Sequence, residues 1–394
     1  MLGDAEPGSP ARPLVTGQTG QSSLLYVSPV VPSLGGNGLA MRAGMVLEAL
    51  ARVYRTSLLV VPLYPPLDSP VPEFFQSLCE SAVCVEPGAA AEAYRSQRFD
   101  AIHVFRLSAL PFARAFFGES RFRCLDLDDI ESLTHRRIAA LYRANGDAKN
   151  ADAAEAKAQR YGLLEGLAFR QVDRVCVCSR NDRKLLLSRC PAEISVLPNA
   201  VRAPARVTPR SSGAFRFLFM GTLGYYPNHD AALWFCSAIL PLLARRATVP
   251  FEVEFAGRGA SERLKDAVGA AGLRFTGEVP DVQSCYEACH AVIAPIRAGG
   301  GSRIKILEAF SYGRPLVATT AAIEGIEAEP DEHLLVGDSP EAFADGCIRL
   351  MTDWDLGERL AWNAGSLWSR AYSSEALQKT ISSLATLPVR PESP

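Results

Sequence analysis

No uninterrupted apolar run in this sequence reaches the ~18 residues that a membrane-spanning helix needs. An excess of one charge is missing too: 41 Lys plus Arg face 43 Asp plus Glu, a net charge of −2. That excludes a protein that coats nucleic acid with its whole surface, while leaving room for a local basic face. Cysteine is sparse, ten residues in 394, too dilute for a disulfide scaffold. A secretory leader would show a basic start and an apolar stretch of about 7–15 residues. Residues 1–22 show neither; they are rich in Gly, Pro, Ser, Thr and Gln and carry Asp4 and Glu6. We expect residues 1–22 and 388–394 to be loose tails, and the protein to work in a reducing cytoplasm. Cys176 and Cys178, two apart in one strand, and Cys285 and Cys289, four apart on a helix, are then expected to be buried, reduced thiols.

What is present is a chain that is 48% hydrophobic and 21% charged, enough to bury a core in each half. At ~150 residues per domain, two or three domains are expected. Short apolar, β-branched runs recur at 24–27, 57–61, 82–85, 101–104, 123–127, 174–178 and 194–197. They resume at 215–220, 251–256, 273–276, 291–295, 315–319 and 334–336, with helical stretches between. Near-continuous apolarity means burial on both faces, the mark of parallel sheets covered by helices. Two such alternations predict an α/β chain of two doubly wound, Rossmann-like domains. The segment 198–213, PNAVRAPARVTPRSSG, has three Pro, three Arg and no periodicity, and reads as the break between them. The expected divisions are 23–200, a linker at 201–213, and 214–365.

Four strand ends carry chemistry. In PIRAGGGSRIKILEAFSYGRP (Pro295 to Pro315), Gly299, Gly300 and Gly301 lead from a strand into a helix expected over 302–312 with Ser302 as its cap. Glycines let a backbone approach a ligand closely, and a helix start offers unpaired N–H groups. Arg303 and Lys305 oppose the helix dipole unless an anion sits between them and the amides, so a diphosphate is expected here; the alternative is a plain turn with solvated charges. Glu308 suits the vicinal diol of a ribose, or pairs with Lys305. In SPVVPSLGGNGLAMR (Ser28 to Arg42), Gly35, Gly36 and Asn37 precede a helix expected over 41–54, a loop for a phosphate or the reacting sugar, or again a plain turn. It is not GxGxxG, so an NAD site is poorly supported. His103, in FDAIHVFR, stands near a strand end, where open α/β sheets hold ligands; a structural role is its alternative. In CLDLDDIES, Asp126 and its neighbours read as helix caps and cleft contacts rather than a metal site, since no His joins them. Finally, residues 135–184 hold eleven Lys/Arg against six Asp/Glu: a solvated helix face or, as a minority reading, one that meets anionic lipid or an anionic acceptor.

Taken together, VSPVVPSLGGNGLAMR, LDLDDIES, VCVCSRND, VLPNAV, FMGTLGYYPNHDAALWF, FTGEVPDV and GGGSRIKILEAFSYGRPLVAT resemble the retaining glycosyltransferases of family 4. The likeness spans roughly residues 23–375 and is greatest to bacterial sugar transferases of exopolysaccharide gene clusters. It implies the GT-B fold, two Rossmann-like domains facing across a cleft, with a nucleotide-sugar donor on the C-terminal one. It also implies final helices, 366–387, that cross back to the N-terminal domain. Glu308 matches the second glutamate of the family's E-x7-E motif, which binds ribose. The first falls on Gly300, so backbone amides of Gly299 to Ser302 would take its place. In GTLGYYPNHD, Gly221 and Asn228 fall on the donor side, Asn228 where lysine is common, leaving charge neutralisation to Arg303 and Lys305. His103 occupies the first of two histidine positions and Phe105 the second. His103 is therefore the catalytic-cleft candidate, with Arg106 or Asp126 as substitutes, and Gly35, Gly36, Asn37 and Asp126 fall to the sugar or acceptor. The implied partners are a nucleotide sugar and a glycan, lipid-linked or small-molecule acceptor, with peripheral membrane contact and without nucleic acid, metal or resident cofactor. A non-catalytic nucleotide-sugar-binding subunit and a GT-B sugar-nucleotide epimerase are the competing readings.

Overall fold

The computed structural model of the chain describes residues 21–64, 67, 69–204, 213–279, 281–300 and 303–385. Gly301 and Ser302, the two expected tails except residues 21 and 22, and most of the expected linker lie outside the described residues. Seven strands form the first sheet: β1 (Ser23–Ser28), β2 (Arg55–Val60), β3 (Ser81–Cys84), β4 (Ala101–Phe105), β5 (Phe122–Asp126), β6 (Arg174–Val177) and β7 (Glu193–Val196). Six form the second: β8 (Phe215–Met220), β9 (Phe251–Ala256), β10 (Arg274–Gly277), β11 (Ala291–Ala294), β12 (Leu316–Ala318) and β13 (Leu335–Val336). Each falls on an expected apolar run, with ends moved by at most two residues. The orders are β3-β2-β1-β4-β5-β6-β7 and β10-β9-β8-β11-β12-β13, parallel throughout. Both reverse direction at their first strand, so each is doubly wound, and the ends of the strands there open toward a shared cleft.

Alternation along β1 explains why its sequence is apolar on both sides. Leu24 and Tyr26 join the core beneath the helix Gly38–Ala51, while Leu25 and Val27 join the core on the opposite face. The Gly38–Ala51 helix starts three residues earlier than expected because Asn37 caps it, its Oδ1 accepting from Leu39 N at 3.0 Å. Helices Glu131–Ala144 and Ala148–Ala168 pack against each other, the second capped by Asp147, whose Oδ1 accepts from Asn150 N at 3.1 Å. The helix beyond β11 is Ile304–Ser311, with Arg303 at its cap position and no side-chain cap bond, in place of the expected start at Ser302.

The chain returns to the first domain later than expected. Helix Trp354–Ala371 stays on the C-terminal core through Leu360 and Leu367. The crossing comes at Tyr372 and Ser373, where Val201 N donates to Tyr372 O at 3.0 Å. Helix Ser374–Leu384 then buries Leu377 and Ile381 in the N-terminal core. All ten cysteines are free thiols, and Cys124 Sγ lies 3.5 Å from Cys176 Sγ on the neighbouring strand. Among the described residues no helix is long and apolar enough to cross a membrane.

Candidate functional site

A cleft of about 540 Å³ lies between the two domains, where the strand ends meet. Its C-terminal wall centres on Lys305, in the first turn of helix Ile304–Ser311. The ammonium is nearly buried. Its Nζ donates to Asn228 Oδ1 at 2.7 Å and stands 4.7 Å from the centre of the Phe219 ring. A Cβ at Gly221 would sit 2.6 Å from that Nζ, so only glycine leaves the ammonium its place. Burial, with Arg303 close by, pushes Lys305 down to about 7, and Glu308 opposes the shift. Glu308 is buried three residues on and moves the other way. Burial pushes it up to about 7, against the Tyr286 hydroxyl, which donates to Oε2 at 2.9 Å, and against Lys305. The Arg303 side chain folds back onto the carbonyl of Gly300 while still lining the cleft.

The N-terminal wall is acidic and conformationally strained. Among the described residues, three that are not glycine have positive φ, and two of them, Arg106 (φ 67°) and Asp128 (φ 57°), line the cleft. Arg106 donates to Asp128 Oδ2 at 3.2 Å and to Glu131. Its burial, which alone would lower its pKa, is outweighed by Glu131, Asp128 and Asp129, which raise it. Asp129 accepts from Thr134 Oγ1 at 2.6 Å. The two walls meet at Gly300, where an added Cβ would overlap Thr134 Oγ1 and Asp129 Oδ1. The walls are also pinned together beyond the cleft. Tyr142 stacks on Tyr226 at 3.7 Å, Asn145 donates to Asp230 at 2.6 Å, and Arg137 donates to Gly299 O at 3.1 Å.

Of the residues expected at the site, Gly36, Asn37, Gly221, Asn228, Gly300, Arg303, Lys305 and Glu308 line this cleft. Gly35 and Gly299 lie beside the lining rather than in it: Gly35 O accepts from Ser33 Oγ at 2.8 Å, and Gly299 O is taken by Arg137. His103 and Asp126 require correction. His103 stops two residues short of the end of β4 and lies on the Tyr26 side of the sheet, beneath helix Gly38–Ala51, where it stacks on Tyr26 at 5.3 Å with its Nε2 3.7 Å from Asp126 Oδ2. Asp126 is wholly buried and held in a fork by Arg42, with Nε at 3.2 Å and Nη2 at 2.6 Å. Burial works against ionisation there, but Arg42 and His103 more than offset it and hold the carboxyl down at about 2. This is an ion pair that ties the Gly38–Ala51 helix to the sheet, not a ligand contact. The helix-capping role expected within CLDLDDIES does not appear, since Ile130 stands at the cap of Glu131–Ala144; the cleft contacts do. Thr222 and Arg258, both lining, escaped the sequence reading. Each lies just past the C-terminal end of a strand, a position that could have flagged them. Among the described residues no group of three His, Cys, Asp or Glu is arranged to hold a metal ion.

Comparison with known proteins agrees with this geometry. Residues 214–353, the second sheet and its helices, match the family described as Glycosyl transferases group 1. An uncharacterised 44.6 kDa protein in the cps region of Klebsiella pneumoniae is 24% identical over 172 residues, 42% of this chain and 44% of that protein. The matched part is thus less than half the length of that relative. Sucrose-phosphate synthase from Thermosynechococcus elongatus superposes with a TM-score of 0.69 at 13% identity, covering 92% of this chain and 98% of its own. Anabaena HepE, solved in complex with UDP and glucose, gives 0.68 at 15% identity, covering 92% and 99%. These likenesses identify the fold as GT-B, and residues 214–353 carry the match to the group 1 glycosyl transferases.

Proposed function

We propose that this chain is a retaining glycosyltransferase that moves a sugar from a nucleoside-diphosphate donor to a hydroxyl of a cell-surface glycan or its lipid-linked precursor. The observation that carries the reading is Lys305: a desolvated ammonium, close to neutrality, on the wall of a cleft beside a helix start. A cation held near pKa 7 with no carboxylate hydrogen-bonded to it is a site for an incoming anion, which restores its full charge. The group 1 domain, the relative in a cps region and the UDP and glucose bound by HepE all support a nucleotide-sugar donor.

In this reading the diphosphate lies against Lys305, Arg303 and the amides that open helix Ile304–Ser311. Glu308, one oxygen of which is held by Tyr286, accepts from the ribose hydroxyls. Asp129, which reaches across the cleft to Gly300, supplies the carboxylate that position 300 lacks and orients the sugar. The acceptor oxygen bonds to the anomeric carbon on the face that the diphosphate leaves. The bond from that carbon to the diphosphate oxygen breaks, and this oxygen takes the acceptor proton. The largest barrier is the charge growing on the diphosphate, which preorganised cations and N–H groups lower. The cleft cations do this work without a resident cofactor or metal, so EDTA is expected to leave turnover unchanged. We place the reaction in the cytoplasm.

The test begins with a thermal-shift screen of nucleoside diphosphates, since a ligand at ~100 Kd stabilises by ~2.7 kcal/mol. The matching nucleotide sugar is then incubated with candidate acceptors. Release of nucleoside diphosphate with a product of unchanged anomeric configuration supports the reading. An epimerised free sugar, an inverted product or a donor bound and never consumed overturns it.

A further inference from the structure

Eleven large apolar side chains are exposed among the described residues, and five of them are leucines in one stretch: Leu163, Leu164, Leu167, Leu185 and Leu187. Helix Ala148–Ala168 explains the first three. Its buried face carries Ala151, Ala154, Ala158, Glu165 and Ala168, whereas positions 160, 163, 164, 167 and 170 fall on the opposite side. Leu163 is 74% exposed and Leu167 60%, and Arg160 and Arg170 flank them. Leu185 and Leu187 lie on the next helical segment, which packs on the buried side of the first and is not part of this face: Arg189 reaches Glu165 at 2.9 Å, and Leu186 and Ala168 share one core. Arg160 and Arg170 are both exposed on the leucine side, and no exposed Asp or Glu lies between residues 156 and 170.

We propose that this leucine-and-cation face docks on an anionic lipid bilayer. Solvent-facing leucines flanked by arginines are what a lipid interface rewards, apolar insertion together with attraction to anionic headgroups. A second copy of the chain is the poorer occupant, because two such faces would bring Arg160 and Arg170 against their own copies. The docking stands on the surface alone; its use rests on the glycosyl-transfer reading. Behind the leucines Tyr161 stacks on His135 at 5.1 Å, and His135 lines the cleft. The docked face is therefore one helix diameter, about 10 Å, from the cleft wall, and a lipid-linked acceptor in that bilayer is brought to its mouth.

The test is co-sedimentation of the full chain with vesicles of phosphatidylcholine alone or mixed with phosphatidylglycerol. The chain is expected to bind the mixed vesicles, and binding is expected to weaken as salt is raised. Replacing Arg160 and Arg170 together with Ser is expected to weaken partitioning about 25-fold, about fivefold for each cation. The pair Leu163→Ser and Leu167→Ser is expected to weaken it at least tenfold. Both variants should keep the thermal shift given by nucleoside diphosphate, which shows that fold and cleft are intact. Equal binding to both vesicles, no binding to either, or self-association that the leucine variant abolishes would each overturn the proposal.

Discussion

Asp126 and Glu308 are both buried carboxylates near a cation, yet their surroundings drive them apart, Asp126 down to about 2 and Glu308 up to about 7. The difference lies in how each cation is spent. Arg42 places two N–H groups on the two oxygens of Asp126 and adds bonds to Asn199 and Leu197 O, which closes the pair on itself. Lys305 turns its proton toward Asn228 instead and leaves Glu308 to the Tyr286 hydroxyl. Burial then wins over attraction, and both groups drift toward neutrality. A satisfied pair holds structure together, whereas an unsatisfied one keeps capacity for a ligand.

Breaking the closed pair should show in folding. Asp126→Ala strands the Arg42 charge in the interior and is expected to cost about 3–5 kcal/mol of stability in denaturant unfolding. Breaking the open pair should show in turnover. Lys305→Ala is expected to slow the reaction by ~10²–10³, about 2.7–4 kcal/mol of barrier, while unfolding stability stays near the wild-type value. A destabilised Lys305→Ala, or a stable Asp126→Ala, would erase the contrast.

The pH dependence sharpens it. The diphosphate of a nucleotide sugar stays ionised through the neutral range, so its pull is on protonated Lys305. With Lys305 at about 7 in the free protein, affinity is highest below that pH and falls as pH rises through it, by up to tenfold per pH unit. Titration calorimetry at several pH values should find this slope. Lys305→Arg, charged throughout, should flatten it, and Glu308→Gln removes the neighbouring titration as a control. His103 should matter least: His103→Phe keeps the stacking on Tyr26 and is expected to change turnover less than about threefold, since the side chain is packed beneath helix Gly38–Ala51 and does not line the cleft. A hundredfold loss there would return His103 to the chemistry.

Much of the C-terminal wall of the cleft was legible because it is local. Gly300, Arg303, Lys305 and Glu308 lie within nine residues at one strand-to-helix junction, so their spacing along the chain already puts them close together. The opposing wall was legible only in outline. FDAIHVFR and CLDLDDIES mark strand ends, and the residues that reach the cleft, Arg106, Asp128 and Asp129, do lie there. His103 and Asp126 are two or three residues earlier, where alternation and depth turn a side chain into the layer beneath.

Apolar runs with helical stretches between them determined two parallel, doubly wound sheets, because burial on both faces demands that pattern whatever the neighbours are. Only the folded chain decided which charged groups became closed pairs and which stayed open. That choice depends on angles and distances between segments far apart in sequence, such as Arg42 with Asp126 or Lys305 with Asn228. The approach of Asp129 to Gly300 is of the same kind: it requires two domains to meet, and neither carries a trace of the other.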